Sequence, residues 1–462
     1  MIDPQIPVEK NRDYEINIDS LGSKGEGVGR IQGFTIFVEG ALPKERVLVK
    51  IVKTAKSYAY GKLLHIIQKS TKRVEPKCPY FKMCGGCQLQ HLSYGGQLEY
   101  KTQQVKDALE RIGHLKNVEV LPTLGMEEPW KYRNKAQFPA SMVKGKPVLG
   151  FYMARSHNLI EIKDCPIQHD INGKVTALVH KYVQTYNIPV YQEKTHKGVI
   201  RHVVTRVGFH SNQLMIIIVT NGELPGKKEL ISMLKEGIPA VTSIIQNYQT
   251  ARTNVVLGRK NVTLWGSDYI MDAIGDLKFK ISPLSFYQVN PVQTEKLYAK
   301  ALEFAALTGK ETVIDAYCGV GTISLFLAGS ASKVYGIEVL PQSVEDAKEN
   351  ARINGIENVE FLIGESEIVI PRLFKLGVKA DVVIVDPPRK GCDEKLLKTI
   401  VEIATERMVY ISCNPATLAR DLKYMVENGY KVEKVQSVDM FPQTSHVECV
   451  ILMQCSGLKD KK

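Results

Sequence analysis

The chain has 462 residues, 44% of them apolar and 24% charged, and carries a net charge of +12. That length suits two to four domains with cores of their own. No run reaches the length of a membrane span, and the start "MIDPQIPVEKNRDYEIN" has no apolar signal region, so a cytoplasmic location without membrane attachment is expected. The positive surplus favours polyanions, of which nucleic acid is the commonest in a cell, and nine unevenly spaced cysteines point to metal ligation or catalysis rather than a disulfide framework.

Residues 14 to 68 alternate short β-type runs with glycine-rich turns ("YEINIDSL", "GSKGEGVGRI", "FTIFVEGAL", "RVLVKIVKT", "AYGKLLHII"), which predicts a small OB-like barrel over 1–72. Residues 1–75 hold 13 Lys or Arg against 9 Asp or Glu, and Phe34, Phe37, Tyr58 and Tyr60 are candidates for stacking on nucleic-acid bases or for the barrel core. A compact cysteine-rich loop follows at 73–92. Next comes a helix over 94–114, with Leu98, Val105, Leu109 and Ile112 on one face, for which the catalytic domain is a candidate packing partner. From about 118 to 285 β-type runs dominate, with helices near 168–186 and 227–236, so 73–285 reads as one central α+β domain. No internal repeat is present, and only the "KDKK" tail reads as disordered.

Over 286–462 the pattern changes to helices alternating with the short strands "TVIDAY", "KVYGIEV", "VEFLIG", "ADVVIVD" and "RMVYIS", which predicts a doubly wound, Rossmann-like parallel sheet. "YKVEKVQSVDMF" and "VECVILMQC" are expected to close it as an antiparallel hairpin. Ligands of such sheets bind at the carboxyl ends of the strands. The first strand ends in "VIDAYCGVGT", where Gly319 and Gly321 let the backbone approach a ligand; position 324 is Ser, where a dinucleotide site would have a third glycine. Glu338 ends the second strand, where a carboxylate accepts ribose hydroxyls. On the fourth strand "DVVIVDPPRKG" makes a rigid exit that projects Asp386 into the crevice and favours S-adenosylmethionine over a dinucleotide.

Taken together, "DAYCGVGT", "VDPPRKG", "YISCNPATLARDL", "SHVECV" and the lead-in "SPLSFYQVNP" resemble the RNA (uracil-C5-)-methyltransferase family. The barrel and cysteine loop are similar to its 23S ribosomal RNA branch, which carries a TRAM domain and an iron–sulfur cluster. The resemblance implies cofactor contacts from Gln288, Tyr317, Glu338 and Asp386, with Glu365 of "GE" as a further adenosine contact.

Uracil C5 is a poor nucleophile and does not attack a sulfonium methyl unaided. A thiolate that adds at C6 makes C5 an enolate carbon, and the same sulfur leaves when the adduct collapses. Cys413 suits that role: it stands where the fifth strand stops, and "NPATLARDL" begins a helix whose N-terminal dipole is expected to lower the thiol pKa. Cys318, Cys392, Cys449 and Cys455 read as packing residues. After methyl transfer the C5 proton must leave, and the resemblance assigns the base to Glu448, whose apolar neighbours Val447 and Cys449 are expected to bury it and raise its pKa. His446 is assigned no definite role. A target uridine must be flipped out or presented in a loop, and "WKYRNKAQF" offers Arg133, Asn134 and Lys135 as RNA contacts, or as a solvated charge cluster.

In "CPYFKMCGGCQLQ" Cys78, Cys84 and Cys87 are spaced C-x5-C-x2-C, and "IKDCPIQH" offers Cys165 as a fourth ligand. Spacing alone leaves zinc and an iron–sulfur cluster open; the resemblance selects a [4Fe–4S] cluster, expected to be structural. Three readings compete: C5 methylation of uridine in 23S ribosomal RNA, the same chemistry on transfer RNA, and a non-catalytic RNA-binding factor with a relict catalytic domain. Adenine N6 methylation fits less well, because Arg389 stands where that chemistry has an aromatic residue. No obligate protein partner is evident.

Overall fold

The computed structural model describes residues 6–457, so the "KDKK" tail lies outside the described residues. Strands β1 (Asp13–Leu21), β2 (Gly27–Ile31), β3 (Phe34–Val38), β4 (Arg46–Thr54) and β5 (Tyr58–Gln68) form a closed barrel in the order β1-β2-β3-β5-β4. Alternate residues Ile16, Ile18, Ile36, Val38, Val47, Val49 and Ile51 fill it. The β2–β3 hairpin turns on Gln32 and Gly33, both with positive φ (50° and 82°), as the right-handed twist of two-residue hairpins requires. Phe34 packs at the edge of the core, whereas Phe37, Tyr58 and Tyr60 gather outside it with ring centroids 5.5–5.8 Å apart.

The barrel is fastened to the rest of the chain. Arg73 makes a two-pronged ion pair with buried Glu45 (2.6 and 2.8 Å) and donates to the Gly40 carbonyl at 2.6 Å. Leu42 packs with Leu89, Leu92 and Tyr100, the last on helix α1 (Tyr94–Arg111). After α1 comes β6 (Val120–Leu124); α1 packs on the catalytic half as expected, whereas β6 departs from the division expected from sequence. Val105 and Leu109 of α1 enter the catalytic core, and β6 joins the catalytic sheet.

The central module is a seven-stranded sheet with two helices. Its elements are β7 (Lys135–Val143), β8 (Lys146–Tyr152), β9 (Leu159–Glu161), α2 (Ile171–Thr185), β10 (Ile200–Val207), β11 (Leu214–Thr220), α3 (Lys227–Gly237), β12 (Val241–Tyr248) and β13 (Lys260–Gly266). The order is β13-β12-β11-β10-β7-β8-β9. Val175, Val179, Leu230 and Leu234 of the helices cover one face, and Val204, Met215, Ile217 and Ile245 on the other face join the core shared with the catalytic half. Both faces of β11 are covered, which explains its unbroken apolar run "LMIIIV". The hairpin β14 (Ile270–Ile274) and β15 (Leu277–Ile281), expected in the central domain, buries Ile270, Ile274, Phe279 and Ile281 in that shared core.

The catalytic half runs α4 (Pro291–Ala305), β16 (Thr312–Asp315), α5 (Thr322–Ala328), β17 (Lys333–Glu338), α6 (Pro341–Ile353), β18 (Val359–Ile363), α7 (Ser366–Lys375), β19 (Val382–Val385), α8 (Glu394–Ile403), β20 (Arg407–Ser412), α9 (Pro415–Glu427), β21 (Tyr430–Val438) and β22 (Glu448–Cys455). The sheet order is β18-β17-β16-β19-β20-β22-β21-β6. The first five strands are parallel, β22 is antiparallel to both neighbours, and β6 lies parallel to β21. Chain order reverses between β16 and β19, so the ligand crevice opens at their carboxyl ends. Asn290 and Asn414 start α4 and α9 as side-chain caps, each followed by proline at the first helical position. Among the described residues no helix is long and apolar enough to cross a membrane.

Candidate active site

The crevice is built from strand ends. After Asp315 the chain turns through Gly319 (φ 55°) and Gly321 (φ 82°), and a Cβ on Gly321 would lie 2.8 Å from the Phe361 ring. Position 324 has a use of its own: the Ser324 hydroxyl donates to Asp315 at 2.6 Å, and burial pushes the Asp315 carboxyl up to about 6. At the end of β17 the Glu338 carboxylate accepts from Gly319 N (3.2 Å) and Leu340 N (2.9 Å), one amide per oxygen, which leaves each oxygen a free lone pair. Exposed apolar side chains stand beside it: Val339 and Leu340 follow β17, and Ile363 ends β18 next to Gly364. A carboxylate with spare acceptor capacity beside apolar strand ends fits a ribose joined to a flat base. Glu365 caps α7 without a side-chain bond to it.

Asp386 follows β19. Burial, and then Asp315, raise its pKa to about 7. The loop beyond is pinned by the first turns of α9. Arg389 O accepts from Asn414 Nδ2 (3.0 Å) and Thr417 Oγ1 (3.2 Å), and Lys390 O accepts from Arg420 Nη2 (3.0 Å). Asp421 accepts from Cys392 N (2.9 Å) and from the Tyr410 hydroxyl (2.7 Å). Tyr317 is half-buried against the same core, with its hydroxyl pKa raised by burial.

The β20–β22 ladder ends at Ser412 and Cys449, so Cys413 and Glu448 are the next residues beyond its last pair, and the Glu448 carboxylate is near enough to act on the Cys413 thiol. Val438 of β21 pairs with Glu448 on its other side. Burial raises the Glu448 pKa well above the usual carboxylate range; Asp386 adds to this and Arg389 opposes it. The Cys413 thiol is half-buried and pushed up to about 11, by burial first and then by Glu448 and Asp386. This reverses the expectation that the α9 dipole lowers the thiol. At the start of α9 the Asn414 side chain accepts from Ala416 N at 3.1 Å, and Asn414 N donates to Ser412 Oγ at 3.2 Å. Arg389 opposes the upward shift, and so does the backbone amide of Cys413 itself. Cys318, Cys392 and Cys449 are buried and Cys455 is half-buried.

The lead-in 282–290 runs between α6, where Ser285 Oγ donates to Asp346 at 3.1 Å, and the end of β21, where Asn290 Nδ2 donates to Met440 O at 3.0 Å. Phe286 is 67% exposed, Gln288 is buried, and Tyr287 packs into the core. Asn134, expected at the RNA surface, is 5% exposed and spent on this segment: its Nδ2 donates to Gln288 O and its backbone N to Val289 O, both at 2.9 Å. That use corrects its reading as an RNA contact. Lys135 is half-buried beside Arg206 and Arg133, and burial together with these cations lowers it to about 7. Arg133 is partly exposed and also lowers the pKa of His446, after burial, Arg389 and Lys101.

Cys78, Cys84, Cys87 and Cys165 share one neighbourhood. Burial pushes Cys87 and Cys165 up to about 12, and the other thiols of the group act in the same direction. The donor set, four converging thiols, suits a thiophilic metal or cluster. Among the described residues, however, no three Cys, His, Asp or Glu side chains close to a metal-holding geometry.

A sheet that reverses order beside an acidic strand end is that of a nucleotide-cofactor enzyme, and comparison with known proteins narrows the class. Residues 248–456 match the family model described as tRNA (Uracil-5-)-methyltransferase, and residues 7–64 match the TRAM domain. A protein of Clostridium tetani named as an uncharacterized RNA methyltransferase is 54% identical over 99% of each chain, and one of Halalkalibacterium halodurans is 53% identical over 97% of this chain and 98% of its own. The crystal structure of Pyrococcus abyssi tRNA (uracil-54, C5)-methyltransferase with S-adenosyl-L-homocysteine superposes with a TM-score of 0.76 at 28% identity, covering 95% of this chain and 99% of that one. The chain belongs to the RNA (uracil-5-)-methyltransferase family, as an S-adenosylmethionine-dependent enzyme with an N-terminal TRAM barrel.

Proposed function

We propose that the enzyme forms 5-methyluridine in structured RNA, with 23S ribosomal RNA as substrate, by transient covalent attachment of the base to Cys413. The observation that carries the reading is the end of the β20–β22 ladder, beyond which a half-buried thiol and a buried carboxylate are neighbours. Cys413 adds to C6, and the electron pair moves to C5, which takes a methyl group. Glu448 then removes the C5 proton, the C5–C6 double bond re-forms, and the Cys413 thiolate departs. S-adenosylmethionine supplies the electrophilic methyl, and Gln288, Tyr317, Gly319, Gly321, Glu338, Glu365 and Asp386 would hold it. Arg133, Lys135 and the outward rings Phe37, Tyr58 and Tyr60 supply positive charge and stacking surface for an RNA strand. Cys78, Cys84, Cys87 and Cys165 would hold a structural [4Fe–4S] cluster, with zinc the alternative for the same thiolates.

A second substrate has support of its own, because the Pyrococcus abyssi protein is named as acting on tRNA at uracil 54. Mass spectrometry of nucleosides from separated ribosomal and transfer RNA of a deletion strain decides between them. Loss of 5-methyluridine from 23S RNA alone is the expected result; loss confined to tRNA moves the assignment, and no loss from either favours a non-catalytic RNA-binding role.

A further inference from the structure

Between β21 and β22 the chain runs from Asp439 to Val447 and delivers Glu448 to the crevice. The middle of this connection is Gln443, 2% exposed and held at φ 72°, a left-handed conformation that costs a side-chain-bearing residue energy unless its surroundings impose it. The bonds that impose it come from the cysteine-rich segment and the helix after it. Gln88 N and Leu89 N both donate to Gln443 O, at 3.1 and 2.9 Å. Gln97 of α1 closes a reciprocal amide pair: its Nε2 donates to Gln443 Oε1, and its Oε1 accepts from Gln443 N, each at 3.0 Å. Gln88 Oε1 also accepts from Ser445 N at 3.4 Å, and Tyr132 donates to Pro442 O at 3.0 Å. Gln88 follows Cys87 directly, so the thiol cluster and the turn that aims Glu448 are one residue apart on a continuous hydrogen-bonded path.

We propose that Gln443 is a positioning residue for Glu448, and that the cysteine-rich segment serves the reaction as the brace that holds this turn. The proposal rests on Glu448 being the C5 base, and it assigns the brace to the elimination half of the cycle rather than to methyl transfer. An amide pair and two backbone bonds that fix a connection five residues from a carboxylate act on where that carboxylate points. Cys413 is also held from its far side, by the β19–β20 pairing and by α9, so the turn reaches it only through β22.

Two RNA substrates separate the halves. A 5-fluorouridine RNA with S-adenosylmethionine stops after methyl transfer, because no C5 proton is available, and traps the adduct. Release of tritium from [5-³H]uridine RNA reads the elimination. For Gln443→Ala the trapped adduct is expected to form at close to the wild-type rate, while tritium release falls roughly tenfold, a fraction of what a general base contributes, and methylated enzyme–RNA complex accumulates. Gln443→Asn is expected to recover part of the loss. If Gln443→Ala does not fold, Gln88→Ala, at a half-buried position, reads the same split through the lost Ser445 bond. Equal loss in both assays, or loss in neither, overturns the proposal. A wild-type enzyme that traps no adduct at all would instead remove the parent reading.

Discussion

The two sides of the catalytic sheet are made differently. Its parallel side, β18 through β20, carries Glu338, Asp315, Asp386 and Cys413 at successive strand ends, each followed at once by the helix or loop that fixes it. Its other side, β22-β21-β6, carries Glu448 and is assembled from distant parts of the chain: β6 pairs with β21, α1 packs on α9, and the Lys101–Asp439 ion pair is fully buried between them. Asp439 also accepts from Tyr94 at 2.9 Å, and Lys101 donates to Phe441 O at 3.1 Å. On the proposed mechanism, the side that forms the covalent bond is locally encoded, and the side that breaks it depends on the N-terminal half.

Substitutions that separate the two sides test this contrast. The largest effect is expected on the chemistry itself. Cys413→Ala should abolish turnover, while Glu448→Gln should still form an adduct that persists, because only its resolution needs the carboxylate. Next comes the joint between the sides. Lys101→Met leaves the Asp439 carboxylate buried without its cation and should cost about 3–5 kcal/mol in denaturant unfolding, with α1 becoming sensitive to protease.

A smaller effect falls on the floor of the crevice. The folded-state pKa of Asp386, about 7, lies above the ordinary 3.8, so the folded protein binds the proton more tightly than the unfolded chain. Its contribution to stability is therefore lost as pH rises from about 4 to about 7. Asp386→Asn, which stays neutral, should gain on the wild type across that window, level off above it at roughly 1–3 kcal/mol, and lose activity. Thermal unfolding at a series of pH values reads the gain. The smallest effect is at Arg389, the cation that opposes the upward shift of Cys413. Its removal should shift the rate of adduct formation to higher pH and slow it about three- to tenfold near pH 8.

The same contrast explains what could be read from the sequence. The five parallel strands, the closing hairpin, Gly319, Glu338, Asp386 and Cys413 were legible because strand periodicity and the residues that end each strand lie within a few positions of one another. The place of β6 was not: its partner lies more than 300 residues away, and nothing in "VLPTL" names β21 as its neighbour. Asn134 sits in a charged stretch that reads as surface, yet the lead-in segment covers it. A helix start predicts an acidified thiol, but burial raises its pKa, and the Glu448 and Asp386 carboxylates push the same way. Ser324 was noticed only as a missing glycine, and its bond to Asp315 depends on a turn that is visible only in three dimensions.

The most direct test is peptide mapping by mass spectrometry of the denatured complex formed with 5-fluorouridine RNA and S-adenosylmethionine. The account predicts a single modified peptide bearing methylated fluorouridine on the sulfur of Cys413. A nucleotide bonded to any other residue, or RNA methylated at C5 by an enzyme in which position 413 is alanine, would contradict it.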